Sequence, residues 1–419
     1  MPIFCPMSIL LLLLIYLIFI SLGLPDSVLG SSFPSIADNL GCSPDLAGYI
    51  GFVVSLCTII SSLLSDKMIA RFKTKFVVSF SILLTALGLV CFQLVSANYV
   101  WAFFFCAVLL GLGAGAIDAA LNNYVALHYK ALHMNWLHCC WGVGASVSPL
   151  LIAPFIDSEN SSEGWNKGIL LIALIQFAIA LIAFLSLPLW GKAEKLERGQ
   201  EKKDEKNAGS VSKASLAKNP VFYLSILGFF CYCALETASG AWGGFFFSKA
   251  RGFSTQEAAR LDALFYIGIT MGRFLSGFIS LKVKEKNMIR MGEGLLIAGA
   301  ILASIDLGNG FAISGFLLIG LGCAPIYPAI IRLTPYRFGK TLSQHMMGLE
   351  MAMAYLGNLL VSPLFGLCAK SFDAYFALPF LVLAFALLMS LSHEVINFFL
   401  GKRDKRLGEE EKEQYSVTA

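Results

Sequence analysis

Four carboxylates stand inside long apolar stretches of this 419-residue chain: Asp26, Asp118, Glu236 and Glu350. An ionised acid facing lipid is costly, so each is expected to face a bundle interior or a wet cavity. Desolvation favours the neutral form of a carboxylate, and a group so placed can load and unload a proton at working pH. All four are proton-coupling candidates, with Asp26 and Asp118 ahead of the others. The competing reading gives them no chemistry: each would pair with a neighbouring helix and fix packing. Glu293 and Asp306 lie near predicted helix ends and read as interfacial, structural acids.

Polar and aromatic groups near these acids could bind a solute. Asn122 follows Asp118 by four residues and so shares its helix face. An amide beside a carboxylate suits the hydroxyl groups of a sugar, and it suits an interhelical hydrogen bond equally. His138, with Trp141 one turn later, could relay protons, or serve as a gate or a packing group. Trp242 sits near Glu236, and an indole beside a carboxylate could hold the apolar face of a sugar ring; tryptophans also anchor helices at membrane interfaces. Arg273, the one basic residue well inside an apolar stretch, needs a partner, which Glu236, Glu350 or an anionic ligand could supply. Tyr327 and Asn358 complete the solute-binding candidates. Gly111, Gly113, Gly115, Gly142 and Gly144 permit close helix approach.

The elements that must position these residues are membrane spans. The chain is 57% hydrophobic and 14% charged, with a mean hydropathy of +0.73, whereas soluble domains carry about 25% charged residues. Twelve runs are long enough to cross a hydrocarbon core of about 30 Å: 7–30, 45–65, 76–96, 99–127, 135–157, 167–189, 220–247, 259–281, 289–307, 311–333, 344–369 and 374–400. The first is too long for a signal peptide and contains Pro25 and Asp26, so it reads as a permanent helix. With the N-terminus in the cytoplasm, 25 Lys and Arg fall on the cytoplasmic side and five (Lys167, Lys249, Arg251, Arg260, Lys370) on the other. That bias assigns both termini to the cytoplasm; the expected location is the plasma (inner) membrane. Residues 190–219, rich in Lys, Glu, Gly and Ser, read as a solvated linker. It divides the chain into a six-helix half at 1–189 and another at 220–400, with a cytoplasmic tail at 401–419. The cysteines fall mostly inside apolar runs without ligand spacing and read as small apolar fillers. No phosphate-binding loop, nucleophile elbow or His-rich metal motif occurs. The expectation is a non-enzyme with no catalytic residues, no cofactor, no metal site and no nucleic-acid partner.

The two halves repeat. Gly111, Gly113, Ile117 and Ala120 match Gly320, Gly322, Ile326 and Ala329 at a constant offset of 209. Asp26 and Gly30 match Glu236 and Gly240, and Ser148-Pro149-Leu150 matches Ser362-Pro363-Leu364. Repeats of this kind mark transporter folds whose site lies near the bilayer midplane. Six plus six spans, a charged central loop and the basic loop SSLLSDKMIARFKTK resemble the major facilitator superfamily. Asp66, Lys67, Arg71 and Lys75 match its conformational signature loop; Ser62 stands where that family usually has Gly. LPDSVLG, NWLHCCWGVGASVSPLL, GITMGRFLSG and APIYP look like its fucose-permease-like branch. The resemblance implies an all-α polytopic membrane protein of twelve transmembrane helices in two pseudo-symmetric halves. It implies proton-coupled symport of a sugar or similar small polar solute by alternating access, with one acid in the first span and one in the fourth. The expected partners are that solute, the proton and the lipid bilayer, and the chain is expected to be a monomer. A proton-driven exporter of drugs or metabolites and a non-transporting membrane sensor on the same fold stay open.

Overall fold

Backbone amides in hydrocarbon find no water, so an apolar chain satisfies them inside helices. The computed structural model of the protein describes residues 6–42, 46–96, 98–156, 164–190, 216, 218–253 and 255–417. Among these residues there is no strand. The long elements are α1 (Pro6–Asp26), α2 (Val28–Leu40), α3 (Leu46–Phe72), α4 (Thr74–Cys91), α5 (Ala102–His128), α6 (Ala131–Ile156), α7 (Gly164–Leu185), α8 (Pro220–Phe245), α9 (Thr255–Ile279), α10 (Glu285–Ser304), α11 (Asn309–Phe338), α12 (Lys340–Phe372) and α13 (Leu378–Val417). Among the described residues nine helical segments are long and apolar enough to cross a bilayer. The expected fifth, eighth and ninth spans are the helices α6, α9 and α10. The polar opening of α9 leaves Leu264–Ile279 as its apolar part, and α10 carries Glu285, Lys286, Arg290 and Glu293. Most of the 190–219 linker lies outside the described residues.

Two boundaries depart clearly from expectation: the last span, expected to end at 400, continues in α13 to Val417, and the first is interrupted. The first span does not end near residue 30; α1 stops at Asp26, a single turn residue follows, and α2 runs on to Leu40. Pro25 inside the last turn of α1 has no N–H to donate, and its ring crowds the carbonyl four residues back. The break, one residue past Asp26, falls beside the acid that the sequence singles out.

The chain forms two compact units: Met1–Ser210 with Arg273–Lys282 and Ser343–Leu359, and Val211–Gly272 with Val283–Leu342 and Leu360–Ala419. In the first unit α5 runs between α3 and α4, and its glycines allow this. A Cβ on Gly111 would strike the Val54 carbonyl oxygen, and one on Gly115 the Thr58 carbonyl oxygen, both on α3. A Cβ on Gly113, two residues from each and on another side of the helix, would come within 2.7 Å of the Ser81 carbonyl oxygen of α4. Ser62 Oγ donates to the Gly115 carbonyl at 3.2 Å, so the close approach is also hydrogen-bonded.

The second unit repeats the device. A Cβ on Gly320 of α11 would strike the Phe265 carbonyl oxygen of α9, and one on Gly322 would reach within 2.6 Å of the Gly292 carbonyl oxygen of α10. The offset of 209 read from the sequence is thus a repeat of packing role, glycine for glycine. Gly142 differs from its expected part: among the described residues no heavy atom beyond its own stretch of helix lies within 4 Å of where its Cβ would be, whereas Gly144 has the Ile20 carbonyl oxygen in that place. Glu293 is a correction of a different kind. It is a deeply buried acid, with Oε1 2.6 Å from His393 Nδ1, because α10 turns that face onto α13. Asp306 is exposed and pairs with Arg251 at 2.7 Å, as an interfacial acid should.

Candidate functional site

Asp118 is held where the glycine contacts put it. With α3 and α4 drawn onto two sides of α5, everything from Gly115 to Ala126 is buried, and the polar groups in that stretch must find partners there. Asn122 Nδ2 donates to Asp118 Oδ1 at 2.7 Å, and Tyr355 Oη donates to Asp118 Oδ2 at 3.3 Å. The other side of the Asn122 amide meets His138 Nε2 of α6 at 3.1 Å. An ionised carboxylate only accepts, so when Asp118 is ionised the asparagine nitrogen faces it and the asparagine oxygen faces His138, whose Nε2 then carries the proton. Phe19 of α1 meets the His138 ring edge-on, centroids 5.6 Å apart.

Asp26 has a different setting. Where α1 breaks, its carboxylate is exposed, and Oδ2 accepts from the indole N–H of Trp141 at 2.8 Å. The backbones around this bond are in direct contact. A Cβ on Gly23 would strike the Trp141 carbonyl oxygen, and one on Gly144 the Ile20 carbonyl oxygen. Arg273, 6% exposed, lies over the Trp141 ring with its guanidinium carbon 5.9 Å from the centroid. Asp26 and Asp118 lie within electrostatic range of each other, as do His138 and Arg273.

A row of polar contacts joins α12 to α3 and α5 within the first unit. Ser343 Oγ donates to Asn123 Oδ1 at 2.7 Å. Gln344 Nε2 reaches Ser65 Oγ at 3.3 Å and the Ala119 carbonyl at 3.4 Å. His345 Nδ1 lies 3.5 Å from Asp66 Oδ2, and a Cβ on Gly348 would strike the Ser62 carbonyl oxygen. Tyr355, bonded to Asp118, ends the row. Asp66 of the signature loop therefore meets a histidine near the start of α12. Arg71 and Lys75 lie over Phe72 and Phe76, at 5.6 and 5.5 Å, and Lys67 is exposed.

The structure gathers Asp26, Asp118, Asn122, His138 and Arg273 into one unit. Glu350, fully buried, and Asn358, half-buried, lie on the part of α12 belonging to that unit. Glu236, Trp242 and Tyr327 belong to the second unit. There Trp242 Nε1 donates to the carbonyl and hydroxyl of Ser362 at 2.9 and 3.1 Å, and its ring packs near Phe245, Phe365 and Tyr375. Tyr327 lies beside Phe229 and Tyr232, centroids 4.9 and 5.7 Å away. Sequence reasoning gave no role to Trp141, Tyr355, Ser343, Gln344 or His345. Trp141 carried a signal, one turn beyond His138; the α12 residues carried none, since their partners stand more than 200 positions away.

The helical fold has known counterparts. The Major Facilitator Superfamily profile matches residues 15–305 and 261–415. The chain belongs to that superfamily, and it is an integral multi-pass membrane protein. The glucose/mannose transporter GlcP of Bacillus subtilis is 25% identical over 263 residues, 62% of this chain and 64% of that one. Bypass of stop codon protein 6 of Saccharomyces cerevisiae is 25% identical over 285 residues, 63% of this chain and 56% of that one. The chain thus spans less than two thirds of these relatives' length. The crystal structure of the E. coli fucose:proton symporter FucP superposes with a TM-score of 0.72 at 15% identity, covering 93% of this chain and 98% of that one. The fold is the all-α, twelve-helix major facilitator fold of the fucose-permease kind.

Proposed function

We propose that the protein is a secondary active transporter that carries a sugar or similar small polar solute together with protons, by alternating access. One observation carries this reading: Asp118 is almost fully buried in the first unit, yet accepts hydrogen bonds from Asn122 and Tyr355. Burial opposes the ionised form of a carboxylate and two donors favour it. A group held between opposed terms can change charge for a modest free energy. Tyr355 stands on α12, so loading Asp118 with a proton weakens one end of the polar row that ties α12 to α3 and α5. That row is what rocking of residues 1–189 against 220–400 has to undo. A proton then acts as a ligand, shifting a conformational equilibrium through its differential affinity for two states. Names of similar proteins, a glucose/mannose transporter and a fucose:proton symporter, support the solute class and the coupling ion. The 25-to-five basic bias supports cytoplasmic termini. Asn122, His138 and Arg273 are the solute contacts favoured in the first unit, Trp242 and Tyr327 those in the second.

The test uses proteoliposomes with an imposed pH gradient and radiolabelled D-glucose, D-mannose and L-fucose. Asp118→Asn or Asp26→Asn fixes a neutral side chain and is expected to abolish gradient-driven uptake while solute exchange without a gradient persists, because exchange needs no net deprotonation. Gradient-driven uptake at wild-type rates in both variants would remove these acids from the mechanism and leave Glu236 and Glu350.

A further inference from the structure

Trp141 touches two groups of opposite charge. Its indole N–H donates to the Asp26 carboxylate at 2.8 Å, and its ring carries the buried Arg273 guanidinium at 5.9 Å. Its backbone is clamped as well: α1 and α6 meet at Gly23 and Gly144 with no room for a Cβ on either side. The indole therefore keeps its place relative to Asp26 while α6 keeps its place relative to α1. Arg273 begins the Arg273–Lys282 segment, the only part of α9 that packs in the first unit.

We infer that Trp141 is the positioning residue through which the ionisation of Asp26 is passed to Arg273. The inference rests on the proposed role of Asp26 in coupling. When Asp26 is ionised, the N–H···carboxylate bond is charge-assisted and about twice as strong as a neutral one. It holds the indole in the orientation over which the guanidinium lies, within the about 6 Å reach of a cation–π contact. When a proton adds to a carboxylate oxygen, the bond becomes neutral, the indole is held less firmly, and Arg273 loses a fixed platform. The segment that starts at Arg273 is then freer to leave. The other titratable groups that feel this pair, among the described residues, are Asp118 on α5 and His138 and Cys139 on α6. Asp118 lies in the field of Asp26, and His138 and Cys139 in that of Arg273. Tyr355 reads Asp118 from α12; on this account Trp141 does for Asp26 and α9 what Tyr355 does for Asp118 and α12.

The experiment needs only the proton as ligand. The full chain in lipid nanodiscs is titrated across about pH 4–9, bracketing the carboxylic acid range and its upward excursions. Two signals are followed: the protonated-carboxyl infrared band that Asp26→Asn removes, and tryptophan fluorescence. Trp141→Phe keeps a ring but deletes the N–H, so the ionised carboxylate loses a donor. The midpoint of the Asp26 band is expected to move alkaline by about one pH unit, a tenfold gain in proton affinity. Arg273→Lys keeps the charge and the indole but loses the planar stack, and is expected to move it the same way by less. This second variant carries the test if Trp141→Phe does not fold. A role in packing alone would lower thermal stability and leave the midpoint in place. An unmoved midpoint in the folded variants overturns the inference while the coupling role of Asp26 stands. Normal gradient-driven uptake by Asp26→Asn with a Trp141-dependent midpoint overturns the coupling role and leaves the proton-affinity result. Absence of any Asp26-dependent band overturns both.

Discussion

Asn122 is the joint of the buried network, since one amide serves both Asp118 and His138. Asn122→Ala removes a partner from two buried polar atoms at once, and each deprived buried group costs about 1–3 kcal/mol. Lower thermal stability in detergent is expected, with a smaller loss in an Asn122→Ala/His138→Phe double variant than the two single losses combined. Strict additivity would mean that the pair does not interact in the folded protein. Asp118, Asn122 and His138 were legible in the sequence because a helix repeats its face every three to four residues and because polar side chains inside apolar runs need a reason. Their mutual bonding was half legible: the spacing of four joins Asp118 to Asn122, but nothing local joins Asn122 to His138. Trp141 and Tyr355 stayed unassigned for the same cause. They reach Asp26 and Asp118 across 115 and 237 positions, and a distance of that kind is fixed by how helices pack, which a single sequence does not print.

At the scale of the helix, glycine has two meanings, and α6 holds both. Gly144 lies against the Ile20 carbonyl of α1, while Gly142 faces open space among the described residues. Gly144→Ala forces two backbones apart, an overpacking that typically costs about 1–3 kcal/mol, and is expected to lower the unfolding temperature and the yield. Gly142→Ala adds a better helix former where nothing opposes it and is expected to be neutral or slightly stabilising, by up to about 1 kcal/mol. Equal effects of the two substitutions would show that α1 and α6 do not meet as described. Helix existence was easily read, because a run of about 20 apolar residues admits few other fates. Helix junctions were harder to read. The continuation from α1 into α2 was missed because residues after 30 are more polar and their helix depends on neighbours. Glu293 was misplaced because a position near a predicted end says nothing about which face is covered.

For the molecule as a whole, the basic bias makes the topology testable without any solute. A single cysteine at Lys202→Cys in a background lacking other reactive thiols is expected to resist impermeant maleimides in intact cells and to label after permeabilisation. Prompt labelling in intact cells would reverse the assignment of both termini. The internal repeat was visible as three short matches. What the structure adds is their purpose: Gly111 and Gly320 each admit the second helix of their half, Gly113 and Gly322 the third.

Glycine contacts on opposite sides of α5 also have a mechanical consequence. Where two backbones touch, there is no cushion of side chains to shear, so α3, α4 and α5 are joined into a stiff plank. At 27 residues, α5 is about 40 Å long, and a tilt of about 10° about its middle would swing each end through about 3–4 Å, given a rise of about 1.5 Å per residue. Asp118 sits near the middle of that lever. A compliant helix would dissipate a change of charge there in local bending, whereas a rigid one delivers it to the membrane surfaces as displacement.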